Sequence, residues 1–176
     1  MSIARSFEAA VLPQLDSAYQ LARWLLRDDA SAEDAVQEAS LRAFRYFKGV
    51  RGDDARAWFL AIVRNVCFTQ LALRKDRQDQ TGLEEHELEA LQLQAGLRAS
   101  GPDIAADQAR HKILVDGALR ALPPILREVI VLRELEDMGY DAIAAVVGIP
   151  VGTVMSRLSR ARLRLKELLA NAGADF

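Results

Sequence analysis

The sequence predicts an all-α protein made of two small helical domains. Of its 176 residues 51% are hydrophobic and 27% are charged, whereas only 6% are aromatic. This composition, with 10 glycines and 5 prolines, favours helices over a sheet. Apolar residues recur at helical spacing towards both ends of the chain, and the middle is acidic and polar. We therefore expect two helical domains joined by a flexible acidic linker.

The first predicted domain covers residues 1–78. Tyr19, Ala22 and Leu25 recur at helical spacing in its first part. Ser31, followed three residues later by Asp34, is typical of a helix start, because a side-chain oxygen accepts an amide of the first turn. The apolar side predicted for this helix consists of Ala35, Val36, Ala39, Leu41, Ala43, Phe44 and Phe47.

A further helix is predicted from about Asp54 to Lys75, after Gly49 and Gly52 break the preceding pattern. Its apolar residues are Trp58, Leu60, Ile62, Val63, Val66 and Leu71. Cys67 falls within this pattern, so a buried thiol is the simpler interpretation and a redox sensor is the alternative.

The predicted linker covers residues 79–108. The zone from 76 to 110 carries 3 basic and 8 acidic side chains, and it contains Gly82, Gly96 and the pair Gly101-Pro102. Such a charged, glycine-interrupted stretch is typical of a connection between domains.

The second predicted domain covers residues 109–176 and contains a helix-turn-helix. One helix stops before Pro123-Pro124, and the next runs from these prolines towards Gly139. A short helix, a turn punctuated by Gly148 and Pro150, and a long helix follow. Two helices joined by a glycine-containing turn form the motif that places its second helix in the DNA major groove.

The long helix has two distinct sides on a helical wheel. Its apolar side consists of Val151, Val154, Leu158, Ala161, Leu165 and Leu169. Its other side carries Thr153, Ser156, Arg157, Arg160 and Arg164, while Arg162 lies off that side. Arginine binds guanine edges and phosphates, so this side suits DNA. Arginines on one helix side are often only solvated surface, but the preceding helix and turn favour DNA binding.

Enzymatic and metal chemistry find no support in the sequence. The chain has one cysteine and two widely separated histidines, too few for a zinc ligand set, and we find no phosphate-binding loop or nucleophile elbow. No apolar run approaches the roughly 20 residues that span a bilayer. We expect a cytoplasmic protein, not an enzyme, with no cofactor, no metal, no small-molecule substrate and no direct membrane insertion.

Three stretches resemble the extracytoplasmic-function (ECF) sigma factors of bacterial RNA polymerase. "LPPILREVIVLRELEDMGYDAIAAVVGIPVGTVMSRLSRARLRLKELL" is similar to sigma region 4, and "AEDAVQEASLRAFRYF" and "ARAWFLAIVRN" are similar to regions 2.2 and 2.3–2.4. The resemblance implies that residues 1–78 are region 2 and residues 109–176 are region 4. Region 2 would dock on the polymerase clamp and open the −10 element, and region 4 would read the −35 element.

The resemblance also implies roles for residues of the recognition helix. The positions that match −35 contacts are Thr153, Met155, Ser156, Arg157 and Arg160. The family often has a cation where this chain has Met155, which borders the apolar side on the wheel and could extend the packing there. Arg164 joins this set from its place on the cationic side of the wheel.

In region 2 the resemblance assigns a docking surface and a melting site. Asp34, Gln37 and Glu38 match the surface that docks on the polymerase clamp helices, although taken alone they fit an ordinary helix start with solvated acids. The −10 set consists of the loop Val50, Arg51, Gly52, Asp53 and Asp54, together with Arg64 and Asn65. Trp58 could stack a base, but its apolar pattern favours core packing.

Two features of region 2 depart from the family pattern. Thr69 replaces a common aspartate, and the basic run that follows is thin, with Arg74, Lys75 and Arg77.

The leading hypothesis is an alternative sigma factor that binds core RNA polymerase and promoter DNA and is controlled by an anti-sigma factor. Such a partner could hold it at the membrane. A stand-alone helix-turn-helix regulator is one alternative, and it leaves the first domain without a role. A sigma mimic that only titrates an anti-sigma factor is another, and it needs neither the arginine side nor Asn65. When free, the two domains are expected to be mobile or folded against each other.

Overall fold

The computed structural model describes residues 3–48, 53–81 and 104–173, and every described element in these ranges is helical. The helices are α1 (Ile3–Val11), α2 (Leu15–Leu26), α3 (Asp29–Tyr46), α4 (Asp53–Thr81), α5 (Ile104–Ala121), α6 (Pro124–Ile130), α7 (Tyr140–Val147) and α8 (Val151–Asn171). A 3-10 turn, Leu12–Gln14, precedes α2, and a π-helical turn, Val131–Leu135, continues α6. The all-α prediction is confirmed.

Helix α3 packs through a stripe of alanines. Ala32, Ala35, Ala39 and Ala43 are fully buried, and their spacing places them on one side of the helix. Small side chains allow α2 and α4 to approach closely. The prediction that Leu41 and Phe44 belong to the buried side was wrong, because these side chains are 60% and 54% exposed.

The start of α3 also differs from the prediction. Asp28 is the N-cap, and its carboxylate accepts a hydrogen bond from the Ser31 amide at 2.8 Å. Ser31 lies inside the helix, where its hydroxyl accepts a bond from Arg74 at 2.6 Å. Aspartate caps at least as well as serine, and here it precedes serine by one turn.

The helix-turn-helix is formed as predicted. Gly148 ends α7 with φ of +74°, a conformation that glycine adopts without strain, and the axes of α7 and α8 meet at 97°. Val154, Leu158 and Ala161 of α8 are buried, and so are Ile143 and Val147 of α7. The predicted apolar side of α8 therefore faces the core.

The two predicted domains pack against each other and share one hydrophobic cluster. Helix α4 of the first domain contacts α7 of the second, and α2 contacts α6. Buried members of the cluster range from Leu21 and Phe59 to Ile143 and Leu158. Of the two arrangements expected for the free chain, the structure has the one in which the domains are folded together.

The predicted linker lies mostly outside the described residues. Helix α4 continues to Thr81, beyond the predicted end at Lys75, and α5 begins at Ile104, so helices occupy both margins of the 79–108 range. Within the described residues no single helix is both long enough and apolar enough to cross a membrane. Only α7 and α8 taken together meet that test, and they are bent by 97°.

Candidate nucleic-acid interface

The outer side of α8 presents polar and cationic groups to solvent. Ser156 and Arg160 are exposed, and Thr153 is half-buried. The Ser156 hydroxyl donates to the Thr153 carbonyl at 3.0 Å, and Arg160 Nε lies 3.4 Å from the Ser156 carbonyl oxygen. These contacts within one helix orient the side chains and leave the rest of the arginine fork available for a ligand.

Arg164 and Arg162 are both exposed but point to different neighbours. Arg164 pairs with Glu167 at 3.0 Å on its own helix, and Arg162 pairs with Glu134 at 2.7 Å on the π-helical turn. Exposed pairs of this kind contribute about 0–1 kcal/mol, so a phosphate can displace the glutamate from either arginine. Arg162 stands off the side of α8 that carries Ser156 and Arg160, as the wheel indicated.

Arg157 differs from the other arginines of the helix. Its side chain is only 19% exposed, and its Nη1 lies 3.4 Å from an oxygen of the fully buried Glu128. Arg157 therefore ties α8 to α6, and it lies between the solvent-facing side and the core.

Met155 lies on the solvent side of α8. It is 53% exposed, so the interpretation that it extends the core packing was wrong. An exposed apolar side chain beside Ser156 can contact the methyl group of a thymine, which is a recognised mode of major-groove readout.

The two α4 residues predicted for the −10 element lie in different environments. Asn65 is exposed, and its backbone carbonyl accepts a bond from the Thr69 hydroxyl at 2.9 Å. Arg64 is 17% exposed and donates to both oxygens of Glu128, at 2.6 and 3.1 Å. Its guanidinium also lies 4.4 Å from the centre of the Phe68 ring, a cation–π contact.

The remaining −10 residues are largely outside the described part of the chain. Val50, Arg51 and Gly52 lie outside the described residues. Asp53 and Asp54 form the start of α4, and nothing is described of their side chains. Trp58 is half-buried with its ring 5.9 Å from that of Phe47, an arrangement that fits the predicted core packing.

The predicted docking residues share one side of α3 with exposed apolar groups. Asp34 and Gln37 are exposed, and Glu38 is partly exposed and accepts from Arg42 at 2.6 Å. Helical spacing adds Leu41 to this side, and Leu41 helps to line a shallow pocket with Glu38, Arg42, Arg45 and Tyr46. The sequence pattern predicted that Leu41 is buried. Its helical spacing from Asp34 and Glu38 was the signal that Leu41 lies on the same exposed side of α3.

Glu128 is a central residue that the sequence analysis missed. It is fully buried and joins Arg64 of the first domain to Arg157 of the second. Burial raises the pKa of its carboxyl, and the two arginines act in the opposite direction. The signal in the sequence was an adjacent Arg127-Glu128 pair inside an apolar run, since buried charges occur mainly where they are paired.

Arg127 is also fully buried and donates to backbone carbonyls of both domains. In the second domain it donates to the carbonyls of Leu119, Arg120 and Leu122, at 2.6 to 3.0 Å. In the first domain it donates to Trp24 at 2.9 Å and Leu25 at 3.3 Å. A single side chain therefore satisfies the ends of two helices in different domains.

Cys67 and Arg74, which the sequence analysis also named, both lie in contacts inside the first domain. Cys67 is fully buried, and desolvation raises the pKa of its thiol to about 12, so the reactive thiolate is suppressed. Arg74 donates to the Leu26 carbonyl at 3.0 Å as well as to Ser31, so this member of the thin basic run joins α4 to α2 and α3. Within the described ranges no three His, Cys, Asp or Glu side chains cluster as metal ligands would.

Comparisons with known proteins match both domains. Residues 11–77 match the family described as Sigma-70 region 2, and residues 112–165 match Sigma-70, region 4. The RNA polymerase sigma-H factor of Pseudomonas aeruginosa is 30% identical over 94% of this chain and 86% of its own length. The ECF RNA polymerase sigma-E factor of Escherichia coli K12 is 34% identical over 73% of this chain and 69% of its own.

A solved structure extends the likeness to the fold. The sigma factor RpoE of Bartonella quintana, in complex with the anti-sigma factor NepR, matches with a TM-score of 0.68 and 27% identity, covering 93% of this chain and 96% of that one. A stand-alone regulator would not account for the match to region 2. On this evidence the chain belongs to the ECF family of RNA polymerase sigma factors, which bind core polymerase and direct it to promoters.

Proposed function

We propose that this sigma factor reads its −35 element with the outer side of α8. The single observation that carries the proposal is the division of α8 into a buried apolar side and a solvent-facing side with Ser156 and Arg160. Thr153, Met155 and Arg164 complete the proposed contact set. Arg157 adds a cation at the edge of this set nearest the core, where it pairs with Glu128. Helix α7 and the turn at Gly148 would fix the angle at which α8 enters the groove.

The experiment is run-off transcription with core polymerase, the protein and fragmented DNA of its source. Protein-dependent transcripts with discrete starts support the proposal and reveal the promoter. Arg160→Ala should then lower transcript yield by roughly 5- to 150-fold, since one lost base or phosphate contact costs about 1–3 kcal/mol. Arg162→Ala is the matched control, because it also removes an exposed arginine from the same helix but off the proposed side. Equal losses in the two variants would overturn the assignment.

We place the −10 function on the exposed edge of α4. Asn65 is the described side chain best placed to meet an unpaired strand, and Arg64 becomes available only if its bond to Glu128 is released. The loop Val50–Gly52 and the first residues of α4 are assigned to the same site by resemblance. Asn65→Ala should reduce strand opening more than upstream binding, so a pre-melted template should restore transcription. A defect that persists on that template contradicts the role.

The polymerase-docking surface is proposed to be the side of α3 that bears Asp34, Gln37 and Glu38, extended by Leu41. Charged groups around an exposed apolar residue are typical of a specific interface. Asp34→Arg should weaken binding to core polymerase, while Asp141→Arg should not, because Asp141 is an exposed acid in α7 of the second domain and not on this side of α3. Loss of binding in both variants would mean that net charge, and not this side of α3, controls docking.

The wider proposal concerns organisation and control. Residues 1–78 and 109–176 act as regions 2 and 4, and 79–108 connect them. The protein acts in the cytoplasm without catalytic chemistry of its own, and an anti-sigma factor, either soluble or membrane-anchored, restrains it. The complex of RpoE with NepR supports the last point. Co-purification of the tagged protein from its source tests it, and recovery of polymerase without any further partner would contradict it.

A further inference from the structure

Met155 is a long apolar side chain on the solvent-facing surface of the first half of α8. It is 53% exposed and lies outside the hydrophobic cluster against which the opposite side of the helix packs. A single exposed apolar side chain is common on protein surfaces, so exposure by itself gives Met155 no role. Its role follows from the residues around it.

Small residues surround Met155 on this surface. Gly152, Ser156 and Ser159 are all exposed, and they lie within about one turn of Met155 along the helix. A Cβ added at Gly152 would have no atom within 4 Å, so the space above the start of α8 is open. The Ser156 hydroxyl is already bonded to the Thr153 carbonyl at 3.0 Å. A ligand can therefore approach the backbone of α8 closely, and Met155 projects at one edge of the approach.

Arg160 lies at the opposite edge of this surface. It is exposed, and its Nε lies 3.4 Å from the Ser156 carbonyl oxygen, so the side chain leans back towards the start of the helix. At about 1.5 Å of rise and 100° of rotation per residue, the Cα atoms of Met155 and Arg160 are roughly 9 Å apart. That distance is under three base-pair steps of about 3.4 Å, so both side chains can reach base edges of one short element.

The base edges in the major groove restrict what an apolar side chain can read. They present hydrogen-bond donors and acceptors, together with one apolar group, the C5 methyl of thymine. Methionine has no donor for a phosphate, and its flexible, polarisable thioether adapts to irregular apolar surfaces. Arg160 offers the bidentate bonds that select guanine. The two side chains together suit an element that contains both a thymine and a guanine.

We propose that Met155 is a specificity-determining residue that contacts the C5 methyl group of one thymine in the −35 element, within roughly three base pairs of the base that Arg160 contacts. The inference rests on the proposed function of α8 and adds to it the chemical identity of one base. A cation at this position would bind phosphate or guanine, so methionine changes which promoters are read. 5-Methylcytosine carries its methyl group at the same place, so methylation of a cytosine at this position would strengthen binding.

The test removes a single methyl group from the DNA. Deoxyuridine has the hydrogen-bonding edge of thymidine and lacks the C5 methyl. The probes are duplex fragments that carry the −35 element of a promoter found by run-off transcription, with each thymine of either strand replaced in turn by deoxyuridine. Competition measures the dissociation constant of the holoenzyme for each fragment. For wild type we expect one replacement to weaken binding roughly fourfold, the equivalent of about 0.8 kcal/mol for one buried methyl-sized group.

Variants at Met155 show whether this side chain senses the methyl group. Met155→Ala should bind the thymine and deoxyuridine probes equally at that position, and it should fold, since alanine is a better helix former than methionine. Met155→Leu keeps an apolar side chain and should retain a ratio above roughly twofold. Leu135→Ala is the matched control, because Leu135 is 50% exposed but lies on the π-helical turn outside α8. This control should keep the wild-type ratio.

A second pair of probes separates the methyl group from the rest of the base pair. At the sensitive position the thymine is replaced by cytosine or by 5-methylcytosine, which differ only at C5. Wild type should bind the methylated probe more tightly than the unmethylated one, and Met155→Ala should not distinguish them. Arg160→Ala should relax base preference at a different position, no more than roughly three base pairs from the first.

Three results would overturn the inference. They are a −35 element without thymine, deoxyuridine replacement without effect at every thymine, and equal discrimination by wild type and Met155→Ala. If Met155→Ala loses binding to core polymerase while its discrimination is unchanged, Met155 contacts protein and the inference is wrong.

Failure of the inference is distinguishable from failure of the proposed function. If wild-type holoenzyme gives no promoter-dependent transcripts, the proposed function fails, and the inference that needs a −35 element fails with it. If wild-type holoenzyme transcribes and Arg160→Ala lowers the yield, but no probe reveals a methyl contact, only the role of Met155 fails.

Discussion

Replacement of Glu128 by glutamine should destabilise the folded protein. Glu128→Gln keeps the size of the side chain and removes its charge. The carboxylate accepts two bonds from Arg64 and one from Arg157, all within 3.4 Å. An amide offers one acceptor oxygen, and its NH₂ group would face an arginine donor, so at least one guanidinium loses its partner.

The expected magnitude follows from the burial of the three groups. Removing one partner of a fully buried ion pair costs about 3–5 kcal/mol. Here the arginines retain 17% and 19% exposure, so water partly replaces the lost carboxylate. Removal of a buried negative charge also relieves the desolvation that raises the pKa of Glu128. We therefore expect a loss of about 2–3 kcal/mol in the free energy of unfolding.

The assay is urea denaturation followed by circular dichroism at neutral pH. Glu167→Gln is the matched control, because Glu167 also pairs with an arginine of α8 but is 50% exposed. The control should lose less than about 0.5 kcal/mol. A Glu128→Gln variant within 0.5 kcal/mol of wild type, or equal losses in the two variants, would refute the reasoning that burial makes the Glu128 pairing important.

Three further predictions test local features. Gly148→Ala should lower the free energy of unfolding by about 1–2 kcal/mol, because φ is +74° at this position. Gly152→Ala inside α8 is the control and should raise the free energy of unfolding by about 0.5–1 kcal/mol. Equal effects of the two substitutions in thermal melts would contradict the strain argument. Asp28→Ala should cost about 1 kcal/mol through loss of the cap, and an unchanged denaturation midpoint would argue against it. Cys67 should resist iodoacetamide at pH 8 until urea unfolds the protein, and rapid labelling of the native protein would show that the thiol is accessible. The contribution of the buried thiol to the free energy of unfolding should be complete below the pKa of the unfolded chain, near 9. That contribution should be lost as the pH rises towards about 12.

Local signals accounted for the helix-turn-helix. Glycine at 148 and proline at 150 mark the turn, and apolar spacing identifies the buried side of α8. The turn and the buried side of α8 both depend on residues close together in the chain, so they can be predicted from the sequence. The same holds for the family resemblance, which the matches over residues 11–77 and 112–165 confirm.

Helix α3 illustrates where periodicity is insufficient. The pattern predicted a helix, but it did not decide between the alanine stripe and the larger Leu41 and Phe44 as the buried side. The choice depends on how closely α2 and α4 approach, because only methyl groups fit between closely packed helices. Leu41 is left on the surface proposed for polymerase docking, and Phe44 is left exposed with its ring against that of Phe7.

The sequence by itself determined the all-α class, the helix-turn-helix and the existence of a cationic side on α8. Only the tertiary structure decided which arginines are available to a ligand. Arg160 and Arg164 remain at the surface, while Arg64 and Arg157 converge on Glu128 from positions 64 and 29 residues away in the chain. Helical periodicity places a charge on a side of its own helix. Its partner and its exposure are set by the packing of other helices against that side, which no local pattern encodes.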